Sequence, residues 1–219
     1  MQQALQYCAW GVGLWLNLLV ISALLRGSYR QYPFAFAYAV ALLLSTIAEI
    51  AASALPRGVR SEFYWVDEVI LDILVFCVVI AFIDHAAADV NRNLVQRRWL
   101  ITAAALIFAA SFIIRRDPLG GLNRWMTLVS RDLNICAVIL DLMLWSLLLA
   151  SRRPNRRLLL LSGGLGIQLT GAILGESVRG LSRSGLIPGT LLEVITGLLG
   201  LYVWWRAFRP APVARASRA

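Results

Sequence analysis

Seven apolar stretches, each about as long as a bilayer is thick, occupy most of this 219-residue chain. A transmembrane helix needs roughly 17–25 consecutive, mainly apolar residues. The stretches cover residues 5–25, 33–54, 64–84, 98–114, 129–150, 157–178 and 187–208. We therefore predict an all-α, polytopic integral membrane protein. A single seven-helix transmembrane bundle fills residues 1–208, and residues 209–219 form a disordered basic tail in the cytoplasm.

The composition excludes several other classes of protein. Hydrophobic residues make up 59% of the chain and mean hydropathy is +0.71, which leaves no room for a soluble catalytic or nucleotide-binding domain. The formal net charge is +9, but the arginines lie in short segments between apolar stretches. Because no soluble basic face collects them, we exclude nucleic acid as a partner. The chain has no lysine, so it cannot form a retinal Schiff base, although its helix count resembles that of rhodopsin-like proteins.

Arginine counts predict the orientation in the membrane. Segments that face the cytoplasm are enriched in basic residues. Under the seven-span prediction, one side carries thirteen arginines and the other carries eight, and the first charge, Arg26, follows the first apolar stretch. The strongest single signal is the run RRPNRR at 152–157. We predict an outside N-terminus, a cytoplasmic C-terminus and a multi-pass location in a bacterial inner membrane.

Several carboxylates fall well inside the predicted spans, where each needs a partner, a proton or water. The deepest four are Glu49, Asp72, Asp141 and Glu193. Two arginines at the outer ends of spans, Arg131 and Arg179, could act as counterions, but they are too few to neutralise all four acids. A second set lies nearer the outer surface, where interfacial solvation or simple packing explains it: Asp67, Glu68, Asp132 and Glu176.

Helical spacing adds two polar residues to the deep acids. Asn134 is seven residues before Asp141 and stacks on the same face, and Gln168 aligns with Arg179 on the sixth span. Lipid cannot satisfy such groups, so these faces should point into the bundle. We predict that they line an outward-facing acidic cavity that binds a cation, a proton or an amine-like ligand. The alternative is a set of interhelical hydrogen bonds and ion pairs that only fix packing.

The sequence predicts no catalytic residue, metal or cofactor. It contains one histidine, His85, and no Cys–His spacing typical of a metal site. No nucleophile–base pair supports catalysis, so an enzyme is the least favoured class.

Two pairs of segments resemble each other within the chain. LNLLVISALL at 16–25 resembles LDLMLWSLLL at 140–149, and EVILDIL at 68–74 resembles EVITGLL at 193–199. The similar offsets suggest two three-helix units joined by the fourth span, although Leu-rich helices also match by chance. This 3+1+3 arrangement resembles the SWEET sugar transporters in topology and length. Their Pro-Gln motif is missing here, and no residue role is carried over.

Three functions follow from this pattern. We favour a sensor, a receptor-like module or an accessory subunit of a membrane complex, because the deep acids open toward the outer leaflet while the inner half is poor in polar residues. Such a module would need another membrane or cytoplasmic protein as a partner, besides the lipid bilayer itself. The alternatives are a small proton- or cation-coupled transporter built from parallel repeats, and a membrane-embedded enzyme that acts on lipids.

Overall fold

The computed structural model describes residues 2–52, 57–89, 121–149, 155–181 and 186–209, together with the isolated positions 102 and 109. These residues form helices and short turns without any strand, so the all-helical prediction is confirmed over the described part of the chain. The helices are α1 (Gln2–Ala23), α2 (Pro33–Ala52), α3 (Arg57–Asp89), α4 (Gly121–Leu149), α5 (Arg156–Leu181) and α6 (Leu186–Phe208).

Four segments are each long and apolar enough to cross a membrane: Cys8–Ser28, Pro33–Ala52, Arg156–Gly180 and Ile187–Phe208. They match the first, second, sixth and seventh predicted spans closely. The third predicted span lies within α3, and the fifth lies within α4 up to residue 149; both helices begin earlier than predicted. Hydropathy marks only the apolar part of a helix, whereas backbone hydrogen bonding continues into its polar ends. The fourth predicted span, 98–114, and residues 210–219 of the predicted tail lie outside the described segments, apart from positions 102 and 109.

A tight turn reverses the chain between α1 and α2. One wide helical turn, Leu24–Ser28, continues α1, and Gly27 within it has a φ of 131°. The Tyr29 amide donates to the Leu24 carbonyl at 2.9 Å and closes this turn. α2 then begins at Pro33, a residue suited to the first position of a helix because it has no N–H to leave unsatisfied.

Gly27→Ala tests this turn. We expect it to lower the free energy of unfolding by about 1–2 kcal/mol, because an L side chain is strained at positive φ. A matched control is Gly11→Ala, also in open space but within regular helix, which should stabilise α1 by roughly 0.5–1 kcal/mol. Unfolding in mixed micelles measures both values. Equal effects of the two substitutions would contradict the strained turn.

Neighbouring helices pack in a ring. Successive helices from α1 to α6 contact each other, and α6 returns to contact α1. α2 is antiparallel to α3, because Ser45 meets Asp67 near one end and Tyr32 meets His85 near the other. α6 is antiparallel to both α2 and α5, and α5 returns antiparallel to α4 after a short connection. These relations make α3, α4 and α6 parallel to one another.

The pair α5 and α6 packs with its backbones in close contact. A Cβ built on Gly175 would lie 2.7 Å from the Gly189 carbonyl oxygen, and one built on Gly171 would overlap the Thr196 hydroxyl. Small residues at such positions allow transmembrane helices to approach this closely. Further along, the Gln168 amide donates to the Gly197 carbonyl at 3.2 Å. The two helices therefore form a tight antiparallel pair.

Aromatic side chains fill one end of the bundle, which we call the aromatic end. Trp204 is buried there, with ring centroids 5.7 Å from Tyr38, 6.2 Å from Phe82 and 6.4 Å from Phe208. Its indole N–H donates to the Leu161 carbonyl at 2.8 Å, so the polar atom of this large ring is satisfied. The opposite end, where Glu68 and Glu193 lie, is called the acidic end.

Candidate functional site

Two parallel helices build a polar cluster at the acidic end. Glu68 and Asp72 are one turn apart on α3, and Ser130 and Asn134 are one turn apart on α4, so the two pairs face each other in register. The Ser130 hydroxyl donates a short hydrogen bond to Asp72 and lies 3.4 Å from Glu68 Oε1. The Asn134 side chain also hydrogen-bonds Asp72, which is only 8% exposed. We call these four residues the acidic cluster.

More acids surround this cluster than bases. Glu68 lies within electrostatic range of Asp72, Glu176 and Glu193. Glu193 forms a short ion pair with Arg179, and both side chains are partly exposed. Arg179 is held against α6 at the point where Gly189 approaches α5. The ion pair neutralises Glu193, and the carboxyl groups of Glu68 and Asp72 still lie close to each other and to Glu176.

Three buried polar atoms in the described residues lack a hydrogen-bond partner, and all three are oxygens: Asn17 Oδ1, Glu68 Oε2 and Gln168 Oε1. Asn17 is 2% exposed on α1. The orientation of Gln168 is fixed, since its amide nitrogen donates to Gly197 and its oxygen must point away. A buried acceptor without a donor is unfavourable. The Glu68 oxygen can be satisfied by a proton, a cation or a donor, whereas the two amide oxygens need a donor, a cation or a buried water.

A smaller polar contact joins α2 to α3 at the same end. The Ser45 hydroxyl donates a short hydrogen bond to Asp67. Glu49 is half-buried and lies one turn beyond Ser45 on α2, closer to the end of the bundle. Ser45 and Glu49 thus form a polar stripe on α2 that runs toward the acidic end.

Asp141 lies apart from these residues. It is two turns beyond Asn134 on α4, which places it about 10 Å further along the helix axis. It is 3% exposed, and Ser162 on α5 donates to its Oδ1 at 2.6 Å. The structure therefore gives the four deep acids at least two separate environments.

The predicted site residues divide accordingly. Asp72 and Asn134 lie within the acidic cluster, and Glu193 with Arg179 flanks it. Gln168 faces α6, and Arg131 is exposed on α4.

Sequence reasoning left out of the predicted site Glu68 and Ser130, which belong to the acidic cluster, and Glu176, which lies within electrostatic range of Glu68. The one-turn spacing of Glu68 from Asp72 was a usable signal, because it puts both acids on one face. Ser130 has the same spacing from Asn134, but a serine near a helix end carries little information alone.

In the part of the chain that the structure describes, no three His, Cys, Asp or Glu side chains are arranged to hold a metal ion. Comparison with protein-family models, with curated proteins and with solved structures gives no match.

Proposed function

We propose that this chain is a seven-helix membrane protein whose acidic cluster binds a proton, a small monovalent cation or an amine at the outer side of the bundle. In this proposal it acts as a sensor, a receptor-like module or an accessory subunit of a membrane complex. The observation that carries the proposal is the buried Oε2 of Glu68, an acceptor that lacks a hydrogen-bond partner among the described residues. Such acceptors are completed by donors and cations and repel anions.

The charge balance supports the same ligand class. Glu68 and Asp72 share the Ser130 hydroxyl, and one hydroxyl proton cannot satisfy two carboxylates. Like charges this close disfavour each other's ionisation. Binding one positive charge between α3 and α4 relieves this repulsion. An ammonium group would also supply donors to both carboxylates.

The directions of the helices support the seven-helix topology. Because α3 and α4 run parallel, α3 ends at the aromatic end while α4 begins at the acidic end. A span at 98–114, as proposed, would connect these two ends. With an outside N-terminus, the acidic end faces outward and the aromatic end faces the cytoplasm. The arginines that follow α1 and α6, Arg26 and Arg209, then lie on the cytoplasmic side.

Neutralising the cluster tests the proposal. Glu68→Gln with Asp72→Asn preserves shape and hydrogen-bonding groups but removes both charges. We expect this double variant in lipid nanodiscs to lose at least tenfold in affinity for methylammonium or Na⁺, or to lose proton uptake if the ligand is a proton. Titration calorimetry with each cation at fixed ionic strength, and a pH-indicator dye, provide the readouts.

The matched control is Asp132→Asn, on the same helix α4 and near the same end but outside the cluster. It should bind like the unmodified protein. If the double variant keeps full binding and proton uptake while folded, the cluster is not the site.

Asp141 favours transport as a second candidate function. It supplies a buried acid between the acidic cluster and the aromatic end, in a region where sequence alone offered few polar groups. A coupled transporter needs binding sites for its ion at more than one depth in the membrane. Uptake of methylammonium or protons into proteoliposomes distinguishes the two functions, because a sensor binds its ligand without moving it across the membrane.

A further inference from the structure

A single carboxyl group is enclosed between α4 and α5. Asp141 is 3% exposed and Ser162 is fully buried, and the Ser162 Oγ lies 2.6 Å from Asp141 Oδ1. The other oxygen, Oδ2, lies against Gly166, where a built Cβ would be only 2.7 Å away. Beside this contact, the Trp145 ring of α4 lies 3.3 Å from a Cβ built on Gly163. Because Gly163 and Gly166 have no side chains, Trp145 and Asp141 of α4 pack directly against the backbone of α5.

No charged partner reaches Asp141 among the described residues. Within the described part of α5, the Ser162 hydroxyl faces Asp141 and hydrogen-bonds its Oδ1. On the side of α3, Asp72 contacts α4 at Asn134, two turns away from Asp141 along the helix axis. An isolated carboxylate in an apolar interior costs several kcal/mol, so such a group becomes neutral instead. One hydroxyl is far too little solvation for a full negative charge.

We propose that Asp141 is a proton-binding site, separate from the acidic cluster, which holds its proton as long as α4 and α5 stay packed. The ligand is H⁺, because Oδ1 is hydrogen-bonded to Ser162, Oδ2 lies against Gly166, and the residue is only 3% exposed. The site does not depend on what the acidic cluster binds.

The observed geometry accommodates the bound proton. When Asp141 is protonated on Oδ1, its O–H donates to Ser162 Oγ, and the 2.6 Å separation suits an O–H···O bond in that direction. The Ser162 hydroxyl can then donate to the carbonyl one turn earlier on α5, as serines in helices commonly do. When the proton leaves, Ser162 turns its hydroxyl back to the carboxylate. The remaining charge then requires water, which can enter only if α4 moves away from α5.

Infrared spectroscopy of the full chain in lipid nanodiscs tests this site. A protonated carboxyl group absorbs at a C=O frequency distinct from that of a carboxylate. We expect a carboxylic-acid band at neutral pH that disappears in Asp141→Asn and persists in Asp72→Asn. In Ser162→Ala, loss of the hydrogen bond should shift this band to higher frequency. In D₂O the band should exchange slowly, because exchange requires separation of α4 from α5.

The variants separate this proposal from the function of the acidic cluster. If Asp141→Asn fails to fold, the band shift in Ser162→Ala still identifies the group. A band unchanged by both substitutions, or the absence of any carboxylic-acid band at neutral pH, overturns the proposal. Either result leaves cation binding at Glu68 and Asp72 untouched, since that binding is measured by titration of a different variant.

Discussion

Gly171→Ala should lower the free energy of unfolding by about 3 kcal/mol, the upper end of what overpacking a core usually costs. The added methyl group would occupy the position of the Thr196 hydroxyl. Thr196 cannot move aside easily, because it is β-branched, lies within α6 and bonds the Leu192 and Glu193 carbonyls. The added methyl group would therefore push α5 and α6 apart. The two helices would then also lose their backbone contact at Gly175 and Gly189. Denaturant titration in mixed micelles measures the change.

Two further variants control this result. Gly180→Ala lies on the same helix with open space around it, and it should change stability by less than about 1 kcal/mol. Adding Thr196→Gly to Gly171→Ala removes the obstructing side chain and should recover most of the loss. If Gly171→Ala proves as mild as Gly180→Ala, the close approach of α5 and α6 is wrong.

Trp204→Ala should also cost about 3 kcal/mol. Replacing a buried Trp with alanine usually costs 3–5 kcal/mol. We expect the lower end here, because in a micelle the unfolded chain stays in apolar surroundings and the loss is mainly packing. Trp204 is 1% exposed and contacts aromatic rings from α2, α3 and α6, so the cavity would lie where these helices meet. Thermal unfolding followed by circular dichroism in the same micelles detects the loss.

Trp204→Phe separates packing from hydrogen bonding. It keeps a ring at this position but removes the indole N–H that donates to the Leu161 carbonyl. We expect it to cost roughly 1 kcal/mol, in line with one hydrogen bond. Equal losses in Trp204→Ala and Trp204→Phe would mean that the hydrogen bond, and not the aromatic packing, holds this end together.

Hydropathy predicted the helices well because the bilayer imposes a simple length rule on them. The segment from Pro33 to Ala52 begins at the predicted residue, and the segment from Leu186 to Phe208 ends at the predicted one. The polar N-terminal extensions of α3 and α4 could not be predicted in this way, since a helix continues past the apolar region when its backbone hydrogen bonds are still satisfied. The turn at Gly27 could not be predicted either, because the positive φ of a single glycine produces no periodic pattern of apolar residues.

The site was predicted only in part. Depth within a span drew attention to Asp72, and helical spacing drew attention to Asn134; both residues lie in the acidic cluster. Depth could not show which face of a neighbouring helix each residue meets. The packing of the helices places Asp72 against Ser130 of α4 and Asp141 against Ser162 of α5. The same packing buries one oxygen of Glu68, which has no hydrogen-bond partner among the described residues, although depth alone placed this residue near the outer membrane surface.

The parallel pairing of α3 with α4 has a consequence for how the protein is made. Ser130 follows Asp72 by 58 residues, which at 5–20 residues per second is about 3–12 s of translation. During that interval the nascent α3 carries Asp72 without the hydroxyl and amide that later satisfy it. In the seven-span topology that we propose, α3 would enter the lipid either together with α4, which is made later, or with Asp72 neutralised. Asp72 is thus synthesised before the side chains that donate hydrogen bonds to it. In a chain that stops before α4, Asp72 lacks both donors.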